Sequence, residues 1–161
     1  VVEQSNKQSE DQKEKNSEQE TPEYQIKGAL IVPRHEKLWV WQKSHKLMIA
    51  IFKLCKRLPG SERFRLSDQV QRSSKSVPDN IAEGCSSYYF NNKIKSYIVS
   101  RKEAAETQNH IREMEGKAYI ASALAEELIM RYEEIIRGLN GLINKTCELR
   151  DEYSKKGIKR L

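Results

Sequence analysis

Four stretches of this chain place apolar residues three and four apart, the period of an α-helix with one buried face. Between Leu38 and Leu58, Trp41, His45, Met48, Phe52 and Cys55 share one stripe, and Lys43, Lys46, Lys53 and Arg57 fall opposite. Pro59-Gly60 ends that segment. A second helix is predicted from Ser61, a suitable N-cap, to Gly84. Its inward row reads Leu66, Val70, Ser73, Val77 and Ile81, and its polar stripe Arg65, Asp68, Arg72 and Lys75. Pro78 predicts a kink rather than a break, because Asn80-Ile81-Ala82-Glu83 still has helical character. An aromatic turn with Tyr88, Tyr89 and Phe90 leads into a third helix over about 92–115. There Ile94, Tyr97, Ile98, Ala104, Ala105, Ile111 and Met114 point inward, with Arg101 and Gln108 in the same stripe.

Gly116 breaks the pattern, and Ser122 is expected to cap the fourth helix, with Glu126 and Glu127 near its positive end. Leu128, Tyr132, Ile135, Leu139 and Leu142 form one row; Ile129, Ile136 and Ile143 form a second beside it. So wide a face fits burial against a neighbouring subunit or a helix central to its own bundle. Gly138 and Gly141 each cost about 1 kcal/mol in a helix interior, so a close backbone approach is expected there.

Four such helices, short connections and no competing strand pattern predict an all-α protein, an antiparallel up-and-down four-helix bundle over residues 38–150. Residues 1–23 are almost entirely Gln, Glu, Lys, Asn and Ser, a composition too polar to offset its ordering entropy, and are expected to be a disordered acidic tail. Residues 24–37 are expected to form an extended arm, Pro33 making them a poor helix. Residues 151–161 read as a basic C-terminal tail that frays.

The chain has 161 residues and a mass of 18.8 kDa, enough for one domain with a real core. Its longest uncharged apolar run, Leu47 to Phe52, is far short of the roughly 20 residues of a membrane span. Cys55, Cys85 and Cys147 are scattered, without the CxxC spacing of a metal or redox motif. That count and the absence of a signal-peptide pattern point to the cytoplasm. Charge is uneven. Residues 1–30 hold four Lys against seven acids, net −3, which leaves residues 31–161 with 25 basic and 16 acidic side chains, net +9.

Enzymatic chemistry finds little support in this pattern. A di-metal bundle needs Glu-x-x-His on two helices, whereas the residue three before His110 is Thr107 and no second helix repeats the motif. His110 therefore reads as an exposed histidine between Glu106 and Glu113, and His45 as a hydrogen-bonded core residue. Cys55 lies in a core stripe and Cys85 lacks a neighbouring histidine. No catalytic residue, metal site or cofactor is expected. The cations remain: Lys43, Lys46, Lys53 and Arg57 on one helix, with Arg63, Arg65, Arg72 and Lys75 on the next, predict a continuous basic surface for RNA or DNA. Tyr88, Tyr89 and Phe90 can stack on unpaired bases. An oligomeric scaffold docking an acidic protein is the other reading of the same surface, and the acidic tail is a candidate internal competitor for it.

Trp39-Val-Trp41-Gln-Lys-Ser-His45, Leu58-Pro59, Glu62-Arg-Phe64, Leu66-Ser-Asp-Gln69 and above all Val77-Pro-Asp-Asn80-Ile-Ala-Glu-Gly84 resemble the four-helix-bundle family of 23S ribosomal-RNA intervening-sequence proteins. The same fold family includes the accessory variability determinant of diversity-generating retroelements. The likeness covers about residues 36–148; the acidic tail and the arm fall outside its usual pattern. It implies a cytoplasmic bundle assembling into a homo-oligomeric ring, typically a pentamer with a basic surface. For the retroelement branch it implies nucleic acid and a reverse transcriptase as partners; the Ile-Ala-Glu-Gly signature is closer to the intervening-sequence branch, for which a ribosomal component is the corresponding partner. Within the motif, the residues themselves suggest structural roles. Trp41 is a core anchor, Pro78 a kink, Asn80 and Glu83 partners for backbone groups near it, and Gly84 the helix end.

Overall fold

Helices α1 (Trp39–Cys55), α2 (Leu66–Ser86), α3 (Phe90–Gly116) and α4 (Ser122–Lys155) account for most of residues 32–157, the part of the chain described by the computed structural model. The described residues hold these four α-helices, two short 3-10 turns and no strand, an all-α arrangement. No helix among them is long and apolar enough to cross a membrane. The predicted tail 1–23 and residues 24–31 of the predicted arm lie outside the described residues, as do residues 158–161.

The ends differ from expectation. Arg34–Lys37 is a 3-10 turn rather than extended chain, closed by the Glu36 N–H donating to the Pro33 carbonyl at 3.1 Å. The predicted fraying after Arg150 is also corrected, because α4 continues to Lys155. Tyr153 packs edge-on against the buried ring of Phe90 (5.2 Å between centroids), and Lys156 pairs with Glu152, which together hold that last turn. Helix α2 begins at Leu66, not Ser61; Ser61 lies in a 3-10 turn, Gly60–Glu62. Ser122 is the first residue of α4 and makes no cap, that position being Ala121.

The core is formed by aliphatic residues from all four helices, with Val70, Val77, Ile51, Ile81, Ile111, Met114, Tyr132, Ile135 and Leu139 essentially sealed from solvent. Helix α2 packs most extensively on α3, and α3 on α4. The α2–α3 seam is narrow because small and hydroxyl side chains line it. Ser100 Oγ donates to the Val77 carbonyl at 2.8 Å, and Thr107 Oγ1 to Ser73 Oγ at 2.9 Å. Gly84 belongs to this seam. A Cβ there would stand 2.5 Å from Cε1 of the buried Tyr97, so the glycine permits close approach instead of ending the helix. Helix α2 runs on to Ser86, and Lys93 Nζ donates to the Gly84 and Cys85 carbonyls (3.2 and 3.1 Å) that the helix end leaves open. Pro78 is accommodated without a break, and Asn80 Nδ2 donates to the Ser76 carbonyl at 2.8 Å one turn behind it. The side chain of Glu83 is exposed; its carbonyl instead receives the Ser87 N–H at 2.9 Å.

The rotation of α1 is the main correction. The buried row is Val40, Ser44, Leu47, Ile51 and Cys55, one residue before the predicted stripe for most of its length. Both rows have helical spacing, and the branched aliphatics win the core. Trp41 is consequently half-buried at the core's edge, between His35 (5.1 Å, edge-on) and His45 (4.8 Å, stacked). His45 is exposed rather than a core residue, and Phe52 is 45% exposed. It is Trp39 that makes the tight contact with α4. A Cβ on Gly138 would lie 2.4 Å from its ring, so the close approach expected of Gly138 is present, whereas Gly141 faces open space. On α4 the second row is covered as well, Ile129 and Ile136 half-buried against the core and Ile143 buried, so most of the wide face is covered within the chain.

Candidate nucleic-acid interface

The eight predicted cations fall into three groups, on the edge of α1 towards α4, on the outer face of α2 and in the α1–α2 connection. On the edge towards α4, Lys43 pairs with Glu134 and lies over the Trp39 ring at 5.3 Å. Lys46 joins it on the wall of a surface cleft shared with Arg131 and Glu134. Arg131 is in turn paired with Glu127. Positive and negative charges alternate here, and much of the field cancels.

On the outer face of α2, Arg72 pairs with Asp68 (3.7 Å) and Lys75 with Asp79. Both are exposed i,i+4 pairs of the kind that contribute little to stability yet still lower the local net charge. Between Lys75 and the α1 cations lies an apolar groove of about 350 Å³ formed by Met48, Ile49 and Phe52 with Gln71, Ser74 and Lys75. The predicted continuous basic surface is therefore interrupted. The rotation of α1 puts an apolar strip where the sequence pattern placed core.

The connection from α1 to α2 is different. Lys53, Lys56, Arg57, Arg63 and Arg65 fall within it or on its flanks, all exposed, and none makes an ion pair among the described residues. Its single acid, Glu62, is buried and committed elsewhere: its carboxylate accepts from Tyr119 Oη at 2.9 Å and Lys117 Nζ at 3.1 Å. These bonds, Tyr119 first and Lys117 second, hold the Glu62 carboxyl below the usual carboxylate range. Glu62 thus pins the connection to the segment joining α3 and α4, and its ion-pair partner is Lys117, which also pairs with Glu113 at 2.8 Å, rather than a neighbouring cation. Pro59 leads into the 3-10 turn Gly60–Glu62, with the Glu62 N–H donating to the Pro59 carbonyl at 2.9 Å. Phe64 sits between Arg63 and Arg65, 84% exposed, with the Arg63 guanidinium 5.5 Å from its ring centre. Lys56 lies over Phe52 at 4.9 Å. A cleft of about 290 Å³ opens beside them, lined by Lys56, Pro59, Arg63, Ser67 and Gln71 among others.

Lys53, Arg57, Arg63 and Arg65 thus lie in or directly beside the α1–α2 connection, whereas Lys43, Lys46, Arg72 and Lys75 lie further along α1 and α2. Sequence reasoning missed Lys56, and it missed Phe64, whose position between two arginines after Pro-Gly was the available signal. It also counted Phe90 among the stacking aromatics; Phe90 is buried, leaving Tyr88 and Tyr89 exposed and in edge-on contact at 5.2 Å.

The alternative chemistries are placed as well. Burial raises the pKa of the Cys55 thiol, which opposes nucleophilic use. His110 is 14% exposed, not a surface histidine; Glu106 and Glu113 stand 3.4 and 3.9 Å from its ring nitrogens without hydrogen-bond alignment. No cluster of three metal-ligating side chains occurs among the described residues.

A model of the family described as 23S rRNA-intervening sequence protein matches residues 36–141, a span containing the corner and all eight predicted cations. Among solved structures, a protein with unknown function from the S23 ribosomal protein family of Bacteroides thetaiotaomicron is similar, with a TM-score of 0.61 and 27% identity. That match covers 65% of this chain and 95% of the other. No curated protein matches the chain.

Proposed function

The chain belongs to the 23S rRNA-intervening sequence protein family, and from that membership we propose that it is a non-enzymatic, cytoplasmic protein that binds nucleic acid through its basic surface. The observation carrying this reading is the α1–α2 corner, whose five exposed cations make no ion pair among the described residues while its one acid, Glu62, is paired with Lys117. Such a field attracts a phosphate backbone with little sequence preference. The working unit we propose is an antiparallel up-and-down bundle whose copies form a homo-oligomeric ring, a pentamer. The short connections at residues 87–89 and 117–121 support the first part, since long helices joined so briefly must reverse direction. The apolar strip of half-buried Met48 and exposed Ile49 and Phe52 supports self-association.

Fluorescence anisotropy of structured RNA and duplex DNA across a salt series, on protein of established mass, tests this reading. Log affinity should fall steeply with log salt. The triple variant Lys53→Gln/Arg57→Gln/Arg65→Gln should flatten the slope by about two to three units, near 0.9 for each phosphate that is no longer neutralised. Lys43→Gln, removing a cation already paired, should leave the slope close to wild type. Absence of binding at low salt from a folded oligomer overturns the proposal and favours the scaffold that docks an acidic protein.

A further inference from the structure

The corner carries a feature that charge alone does not require. Phe64 is the most exposed large apolar side chain among the described residues at 84%, yet it does not stand on a loose loop. The 3-10 turn before it is closed by backbone hydrogen bonds, the Arg65 N–H donates to the Glu62 carbonyl at 3.1 Å, and Glu62 is tied to Tyr119 and Lys117. The ring is presented by a braced backbone, so little conformational entropy remains to be lost when something packs on it. Cations flank it in sequence on both sides, and the cleft beside Arg63 offers the polar groups of Ser67 and Gln71 along with Lys56. An exposed aromatic ring with Arg63 at 5.5 Å and further unpaired cations along the same connection suits a base that has left its stack, with phosphates reaching those cations. A continuous duplex offers Phe64 no exposed base face and would leave the ring unused.

We propose that this corner selects unpaired nucleotides, Phe64 stacking on a base while Lys53, Lys56, Arg57, Arg63 and Arg65 hold the flanking backbone. The proposal rests on the nucleic-acid-binding reading above and adds the class of ligand.

The test uses the full chain and four labelled probes at one salt concentration: an RNA hairpin with a single-stranded loop, a blunt RNA duplex, an unstructured RNA oligonucleotide and its DNA counterpart. Wild type should bind the loop and unstructured RNA at least about tenfold more tightly than the duplex. Phe64→Ala should weaken binding to the unpaired probes by about 5- to 150-fold, the range for losing one base–aromatic stack, and change duplex binding less than twofold. Phe64→Trp should restore the preference. Comparison of the RNA and DNA oligonucleotides shows whether the 2′-hydroxyl contributes. If wild type binds no probe, the nucleic-acid reading falls and this inference with it. If it binds all probes alike, or Phe64→Ala leaves the preference intact, the inference alone falls. A change in oligomeric mass in Phe64→Ala would also overturn it, by assigning the ring to a subunit contact.

Discussion

Helix α1 has two edges made from nearly the same residue types, and they end in opposite conditions. Towards α4, a tryptophan lies on a glycine, a lysine is paired with a glutamate, and another glutamate–arginine pair follows. Towards α2 and the corner beyond it, Phe52 and Ile49 face solvent, and a run of cations has no acid free to meet it. Counting lysines would rank the edges together. Pairing and packing separate them: the first edge is a structural contact in which, among the described residues, Lys43 and Arg131 are paired and Lys46 alone is not, and the second is where a run of unpaired charge and apolar surface is left over for a partner.

That contrast can be broken from the structural side first. Gly138→Val should lower unfolding free energy by about 1–3 kcal/mol, since its side chain would drive into Trp39 and the buried Val40. Gly141→Ala, less than one turn away with nothing near its missing Cβ, should instead stabilise by about 0.4–1 kcal/mol. Chemical denaturation of both variants decides the matter; equal effects would mean that α4 does not approach α1 closely at Gly138.

A smaller effect is expected at the brace of the corner. The Glu62 carboxyl titrates below its ordinary value of 4.5 because Tyr119 and Lys117 favour the ionised form. A depressed carboxyl pKa contributes stability above the unfolded value, and that contribution disappears as pH falls through the folded value. Wild type should therefore lose stability on acidification from about pH 4.5 downwards, and Glu62→Gln should lack that component of the loss. Parallel pH–stability curves for the two proteins would show that the carboxylate's charge does not hold the corner. The smallest effect belongs to Lys43 and Glu134, about half exposed. A double-mutant cycle with Lys43→Gln and Glu134→Gln should give a coupling of about 0.2–1 kcal/mol, falling with added salt. A coupling of zero would return Lys43 to the pool of cations available to a ligand.

Much of the architecture was legible in the order of residues. Four helices, the inward rows of α2 and α4, an unbroken α2 through Pro78 and a close approach at Gly138 all follow from helical period and the cost of glycine, whereas the caps expected of Ser61 and Ser122 did not form. The eight predicted cations were legible as exposed, because lysine and arginine are rarely buried. Their grouping was not. Helical period determines which residues share a face, but it does not set the angle at which that face meets its neighbours. Along α1, Val40–Ser44–Leu47–Ile51 and Trp41–His45–Met48–Phe52 are equally periodic, and only packing against the other helices chose the first row for the core. That choice of rotation exposed the apolar strip dividing the basic surface. In the same way, the sequence could count Glu62 among the acids of the corner, but not that it faces Lys117 and Tyr119, distant in the chain. The sequence by itself determined the helices and the surplus of positive charge, both being properties of local period and composition. Which cations remain unpaired, and which aromatic rings remain in water, was decided by tertiary structure, because pairing and burial depend on contacts between residues far apart in the chain.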